Sequence, residues 1–360
     1  MLVLTGTVLA VQANFYRVML DQAFYLELLD ESGQKFSQLI HELLCTRRAR
    51  LKKIGQQICV GDRVTVEEPD WQGGRGAISE VASRRNLLDR PTVANVDRIL
   101  LVFSLAEPSL DPHQLSRFLV KAESTQVEVL LCLNKRDLVS DQTWDIWCDR
   151  LNAWGYSPVA ISTYTQEGIN DLAQHLQTGV TVVAGLSGVG KSSLINLLIP
   201  NLQIRVGEVS QRLGHGKHTT RHVELFGLPA GGYLADTPGF MQPNLTVTSQ
   251  ELADCFPEAR QRLALGEDCH FKNCLHRRDE PNCVVRGDWE RYDHYIAYLE
   301  EAIAYQQKLK NTANADASLK VKDTSDGKQQ QEPRLLKKRY RRESRRNEHQ
   351  DLDTDYESDI

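Results

Sequence analysis

The sequence predicts a multidomain protein: a small all-β unit, an α/β domain built on a parallel sheet, a mainly helical module around a Cys/His cluster, and a disordered charged tail. Three observations carry this. Short alternating runs fill residues 1–88, apolar strand-like runs alternate with helical segments from about residue 89, and Cys269, Cys274 and Cys283 lie within fifteen residues of one another. The expected boundaries are 1–88, 89–250, 251–305 and 306–360.

A chain of 360 residues can bury more than one core. Its 41% hydrophobic and 25% charged residues are globular averages, and no run of about 18 apolar residues offers a membrane span. The start, MLVLTGTVLAVQ, alternates like a strand and has no basic n-region, so cytoplasm without a membrane partner is the expectation. Eight cysteines are too few for a disulfide-dense scaffold. A net charge of -5 argues against a uniformly basic nucleic-acid binder but leaves room for local basic patches.

In the first unit TGTVLAV, FYRVML and DRVTVEE read as strands, and the Gly-rich turn WQGGRG leads into AISEV. Between them CTRRARLKK crowds Arg47, Arg48, Arg50, Lys52 and Lys53 together. Such a loop on a small barrel suits phosphate contacts; the other reading is a solvated loop.

In the second unit ILLVFSL, VEVLLCLN, PVAIS and VTVVAGLS alternate with HQLSRFLVKAES and INDLAQHLQ, the pattern of a parallel sheet covered by helices. TRHVELFGL and GGYLADTPG read as an added hairpin. Then comes WERYDHYIAYLEEAIAY, whose Trp289, Tyr292, Tyr295, Ile296, Leu299 and Ile303 share a helical face that suits packing. The last fifty or so residues pass through RLLKKRYRRESRR to DLDTDYESD, a composition that supports no core.

The chemistry is concentrated in a few segments. GLSGVGKSS supplies Gly185, Leu186, Ser187, Gly188, Val189, Gly190, Lys191, Ser192 and Ser193, directly after a strand and before a helix, as a P-loop requires. Its main-chain N–H groups wrap phosphates, Lys191 reaches the β and γ oxygens as a catalytic cation, and Ser192 ligates Mg²⁺. Asn134, Lys135, Arg136 and Asp137 form an Asn-Lys-x-Asp base reader. A carboxylate accepts from guanine N1–H and N2–H₂ together, which selects GTP over ATP; an ordinary strand-end turn is the bland reading. Asp236 and Gly239 of DTPG suit the Mg²⁺ shell and the γ-phosphate, Thr219 or Thr220 suits a first switch, and Ser162 falls in a second base loop. The chain order is base reader, second base loop, P-loop, first switch, DTPG: the usual cyclic order, opened at another point. Phe240 stands where many GTPases carry a water-positioning glutamine, so slow intrinsic hydrolysis is expected. His218 is the candidate substitute, or a histidine that merely packs or faces solvent.

Cys269, Cys274, His276 and Cys283 offer four ligands for one structural Zn²⁺, with His270 as a possible substitute. Unliganded buried thiols are the alternative.

The permuted order, GKHTT, DTPGF, the Cys/His module and RPTVANVDRILLV together resemble the ribosome-small-subunit-dependent GTPase A family of bacteria, over residues 1 to about 305. The resemblance implies an N-terminal OB-fold that binds RNA, a circularly permuted GTPase and a zinc module. It further implies a role late in maturation of the small (30S) ribosomal subunit, with 16S rRNA as partner, GTP and GDP as ligands, Mg²⁺ and Zn²⁺ as cofactors, and a monomeric state. By motif match His218 takes the place of the histidine proposed as catalytic in that family. Six residues separate His276 from Cys283 where five are expected, which concerns local loop geometry. The alternative class is a nucleic-acid-binding module that senses GTP and GDP without significant catalysis; an ATP-driven enzyme is a third.

Overall fold

The computed structural model describes residues 3–29, 35–89, 92–200, 202, 223–236, 245–265, 269–271, 273–316, 319–323 and 329–333. Its N-terminal strands are β1 (Leu4–Gln12), β2 (Phe15–Leu29), β3 (Lys35–Arg47), β4 (Arg63–Asp70) and β5 (Arg75–Val81). They pair in the order β1-β2-β3-β5-β4, and β4 returns to β1. Only β3 with β5 is parallel; the other pairs are antiparallel. This closed five-stranded arrangement is the OB-fold that the resemblance implies. Alternate residues Val64 and Val66 point inward with Val8, Val18, Leu43, Cys45 and Ile78, so period-two patterning becomes a filled barrel. Between β3 and β4 the basic segment forms a short helix, α1 (Ala49–Lys53), anchored by buried Leu51.

A small hairpin of β6 (Leu87–Asp89) and β7 (Thr92–Ala94) joins the barrel to the next layer. The joint is tightly bonded. Arg84 donates to the fully buried Asp62 at 2.7 Å, Asn95 Nδ2 donates to the Gly61 carbonyl at 2.9 Å, and Asn86 exchanges hydrogen bonds with the Val96 main chain.

The main sheet contains β8 (Arg98–Ser104), β9 (Glu128–Asn134), β10 (Val159–Ala160), β11 (Val180–Ala184), β12 (Glu224–Gly227) and β13 (Tyr233–Asp236). Their order is β10-β9-β8-β11-β13-β12, parallel except for β12, and β12 continues through β1 into the barrel. Helices α2 (Pro112–Glu123), α3 (Asp141–Ala153), α4 (Ile169–His175) and α5 (Lys191–Leu198) connect the strands. Along β8, Ile99, Leu101 and Phe103 pack with α2, while Leu100 and Val102 pack with α4 and α5. A strand buried on both faces needs the continuous apolar run that ILLVFS supplies. Phe103→Ala would cost about 3–5 kcal/mol, because the ring meets Phe118 edge-on inside this core.

The barrel shares that core. Leu9 and Val60 belong to the same buried cluster as Phe103, Leu105 and Leu225.

Downstream, a 3-10 turn (Ala253–Cys255), α6 (Pro257–Ala264) and the start of α7 (Tyr292–Asp316) pack with Leu245, Val247 and Val120 of α2. Tyr292, Tyr295 and Leu299 are buried there, as the helical stripe predicts. Arg291 is fully buried, donates to Glu258 and lies over the rings of Trp154, Tyr156 and Phe256. A charge this deep is tolerable only because it is paired and stacked.

Residues 304–360 form a separate unit. The sequence reads 306–360 as a tail without a core; among the described residues there, α7 runs to Asp316 and Leu319–Asp323 pairs antiparallel with Gln329–Pro333. Residues 334–360 lie outside the described residues.

Candidate nucleotide site and metal cluster

The carboxyl ends of β8, β9, β10, β11 and β13 share one edge of the sheet, since all five run parallel. Ligands of open α/β sheets bind along that edge. The candidate residues follow those ends: Asn134 closes β9, Ser162 follows β10, Gly185 follows β11 and Asp236 closes β13.

The P-loop is built against its neighbours. Gly185 has φ +142°, and a Cβ there would sit 2.0 Å from the Val102 carbonyl oxygen; Gly190 has φ +99°, and its Cβ would meet Asn134 Nδ2 at 2.2 Å. Both positions therefore demand glycine. Val189 is buried, Ser187 and Gly188 are exposed, and Leu186, Lys191, Ser192 and Ser193 are half-buried at the entry to α5. Lys191 Nζ donates to the carbonyls of Gly185 (3.0 Å) and Leu186, which keeps the ammonium inside the loop.

Asn134 joins the two motifs. Fully buried, it donates from Nδ2 to the Val189 carbonyl at 2.7 Å and to Thr163 Oγ1 at 3.3 Å, and its Oδ1 accepts from the Thr163 N–H at 3.0 Å. Ser162, also fully buried, donates to Asp137 Oδ1 at 2.5 Å while its hydroxyl oxygen accepts from the Thr165 N–H at 3.0 Å. Asp137 is exposed, so its carboxylate is aimed but open to a ligand. Lys135 has φ +62°, a left-handed conformation that is costly for a side-chain-bearing residue, and Nζ donates to the Glu107 carbonyl. Arg136 turns elsewhere: it donates to Val139 O at 2.9 Å, pairs with Asp141 and lies over Trp144. Its contribution is the main-chain N–H bonded to the Ile161 carbonyl at 3.1 Å.

His218, Thr219, Thr220 and Gly239 lie outside the described residues. Asp236 is placed by its main chain, between Glu224 and Val183.

The cluster converges as its spacing predicts. The ligand atoms of Cys269, Cys274, His276 and Cys283 all lie within 4.8 Å of one another. His276 Nδ1 is 3.6, 3.4 and 3.3 Å from the sulfurs of Cys269, Cys274 and Cys283, and Cys269 and Cys283 are 4.0 Å apart. Ligands around tetrahedral zinc, with bonds of about 2.0–2.3 Å, are separated by about 3.5–3.8 Å. The fit is close. His276 and Arg286 N–H groups donate to the Cys274 and Cys283 sulfurs at 3.4 Å, and Tyr292 and Tyr295 hydroxyls donate to the carbonyls of His276 and Leu275. Burial pushes the His276 imidazole below its ordinary value, toward the neutral form that ligates metal. His270 is not part of the cluster; its ring stacks edge-on with Phe271.

Comparison with known proteins then decides the family. A family model described as RsgA GTPase matches residues 81–246, and one described as 50S ribosome-binding GTPase matches residues 180–347. A Nostoc sp. protein, Small ribosomal subunit biogenesis GTPase RsgA 1, is 56% identical over 99% of this chain and 98% of its own length. The chain belongs to the RsgA GTPase family. An Arabidopsis thaliana RsgA, named as mitochondrial, is 44% identical over 95% of this chain and 84% of its own length. Among solved structures, YjeQ from Thermotoga maritima aligns with TM-score 0.67 at 30% identity, covering 84% of this chain and 99% of its own. YloQ, described as a circularly permuted GTPase, aligns with TM-score 0.66 at 31% identity, covering 84% of this chain and 95% of its own.

As an RsgA GTPase the chain hydrolyses GTP on a permuted sheet, and a P-loop GTPase site implies Mg²⁺ with the nucleotide. Sequence reasoning missed Thr163 and Glu107. Thr163 follows Ser162 in ISTYTQEG and was within reach; Glu107 enters through its carbonyl, which leaves no residue-type signal.

Proposed function

We propose that this protein is a GTP-driven maturation factor that docks on the small (30S) ribosomal subunit, hydrolyses GTP there and leaves in the GDP form. The observation that carries the reading is full-length identity to relatives named small ribosomal subunit biogenesis GTPase. The model named for the 50S subunit matches only residues 180–347, without the barrel, so the full-length relatives outweigh it.

In this reading Asn134, Lys135 and Asp137 read guanine, with Ser162 and Thr163 behind them, and Gly185 to Ser193 hold the phosphates. Ser192, Asp236 and one of Thr219 and Thr220 complete the Mg²⁺ shell, Gly239 meets the γ-phosphate, and His218 orients water once the subunit fixes its segment. Cys269, Cys274, His276 and Cys283 hold one zinc ion in a closed, structural site. On the barrel, Arg48 is paired with Glu67 and Glu68, which leaves Arg50, Lys52 and Lys53 exposed for 16S rRNA phosphates. The chain acts as a cytoplasmic monomer; among the described residues no helix is long and apolar enough to cross a membrane.

The test is GTP turnover with and without purified small subunits at low salt. Slow turnover alone and strong acceleration by subunits, lost in His218→Ala and Lys191→Ala, is the expected result. Turnover indifferent to subunits sinks the reading.

A further inference from the structure

A single register row crosses from the barrel to the nucleotide sheet. Leu44 of β3 pairs with Arg17 of β2, Arg17 with Ala10 of β1, Ala10 with Glu224 of β12, Glu224 with Asp236 of β13, and Asp236 with Val183 of β11. Among the described residues, Ala10 and Glu224 are the one paired position between β1 and β12. The residue suited to the Mg²⁺ shell is therefore the cross-strand neighbour of the residue that ties β12 to the barrel.

Side chains reinforce the same point. Arg17 Nη1 lies 2.5 Å from Glu224 Oε1, and Arg17 Nε lies 2.7 Å from Glu42 Oε1. All three side chains are about one-third exposed, at 35%, 33% and 31% for Arg17, Glu42 and Glu224. Water-accessible carboxylate pairs are weak and screened by salt, so a competing anion can take the guanidinium. Phosphate, like carboxylate, has oxygens that match that planar fork. Beside Arg17 on the outer surface of β2 and β3, Phe15 and Leu44 are 49% and 41% exposed. An exposed ring next to an arginine suits a nucleotide, whose base stacks while its phosphate pairs, better than it suits a bare anion.

We propose that Arg17 is a positioning residue for GTP hydrolysis: an RNA phosphate on the outer face of β2 and β3 draws its guanidinium from Glu224, and β12 passes the release to Asp236. In the free protein the Arg17–Glu224 pair holds β12 and β13 in the resting position. The RNA half of this inference rests on the small-subunit reading; the link between Arg17 and Asp236 does not.

The experiment measures GTP turnover of the full chain as a function of Mg²⁺, alone, with inorganic sulfate, and with purified small subunits. Arg17→Ala and Glu224→Gln are each expected to raise subunit-free kcat about fivefold and to shift the half-saturating Mg²⁺ concentration, with KM for GTP unchanged. The exchanged pair, Arg17→Glu with Glu224→Arg, is expected to return both values toward wild type while stimulation by subunits stays weak, because a glutamate at 17 repels phosphate. Melting curves that match wild type show that the variants are folded. Single variants with unaltered kcat and Mg²⁺ dependence, or an exchanged pair no nearer to wild type than they are, overturn the link to Asp236. Sulfate that stimulates as strongly as subunits overturns the RNA assignment, and wild-type protein indifferent to subunits removes the small-subunit reading while the Mg²⁺ comparison still judges the link.

Discussion

Asn134 donates through Nδ2 to the main-chain carbonyl of Val189 at 2.7 Å, so the base reader and the P-loop are joined directly by a protein hydrogen bond. Asn134→Ala leaves that buried carbonyl and the half-buried Thr163 N–H without their side-chain partner. With about 1–3 kcal/mol for each unsatisfied group, GTP affinity should fall roughly 10²- to 10³-fold. Titration with a fluorescent GTP analogue measures this; a loss smaller than tenfold contradicts the joint.

The Ser162 hydroxyl holds one oxygen of Asp137 at 2.5 Å. Ser162→Ala should weaken GTP binding about tenfold without changing which base is preferred, since the carboxylate remains. Asp137→Asn should instead move preference from guanine to xanthine nucleotides, because an amide N–H faces the carbonyl that xanthine has in place of the exocyclic amine. Competition between GTP and XTP separates the two effects. Equal behaviour of both variants would count against the assigned roles.

The four converging ligand atoms at Cys269, Cys274, His276 and Cys283 lead to a metal prediction. Elemental analysis should find one zinc per chain, and about half or less in Cys274→Ser, where the weaker oxygen donor replaces a thiolate. Chelation should lower the melting temperature of the wild type and leave that of Cys274→Ser nearly unmoved. Equal metal content in both proteins speaks against the site.

His294 is buried on α7, with its ring centroid 3.8 Å from that of His113 on α2. Burial, the neighbouring His113 and Arg291 push its imidazole down to about 4 from the usual 6.5. An unfolded chain thus binds a proton that the folded chain refuses between those values, so the stability contributed by neutral His294 is complete above about pH 6.5 and is lost as pH falls toward 4. The melting temperature should drop by roughly 3–6 °C between about pH 7 and about pH 5, and His294→Phe should flatten that slope. A wild-type slope unchanged by the substitution would refute the assignment to this histidine.

Much of this arrangement could be read from residue types. GLSGVGKSS, Asn134 to Asp137 and the cysteine spacing each encode their chemistry locally, and ILLVFS announces a strand buried on both faces. Several elements escaped notice, β3 and α3 among them. β3 reads KFSQLIHELLCTR, where leucines recur at helical as well as strand spacing, and its strand character comes from β2 and β5 on either side. α3 carries Trp144, Trp147, Arg150 and three aspartates, with Leu151 as its one fully buried side chain, so its apolar stripe is faint. Contacts between distant segments left no local trace at all: Ala10 with Glu224, Arg291 with Glu258, and Leu9 inside the core of the nucleotide sheet.

That last contact bears on how the protein can be cut. Leu9 and Val60 plug the flank of the nucleotide sheet beside Phe103 and Leu225. A fragment beginning at residue 89 would uncover this greasy flank and open the β12 edge, two surfaces that invite self-association. The enzyme's N-terminal quarter is thus part of the catalytic body's watertight skin, and expression of the GTP-hydrolysing portion by itself should yield aggregates where the entire polypeptide remains in solution.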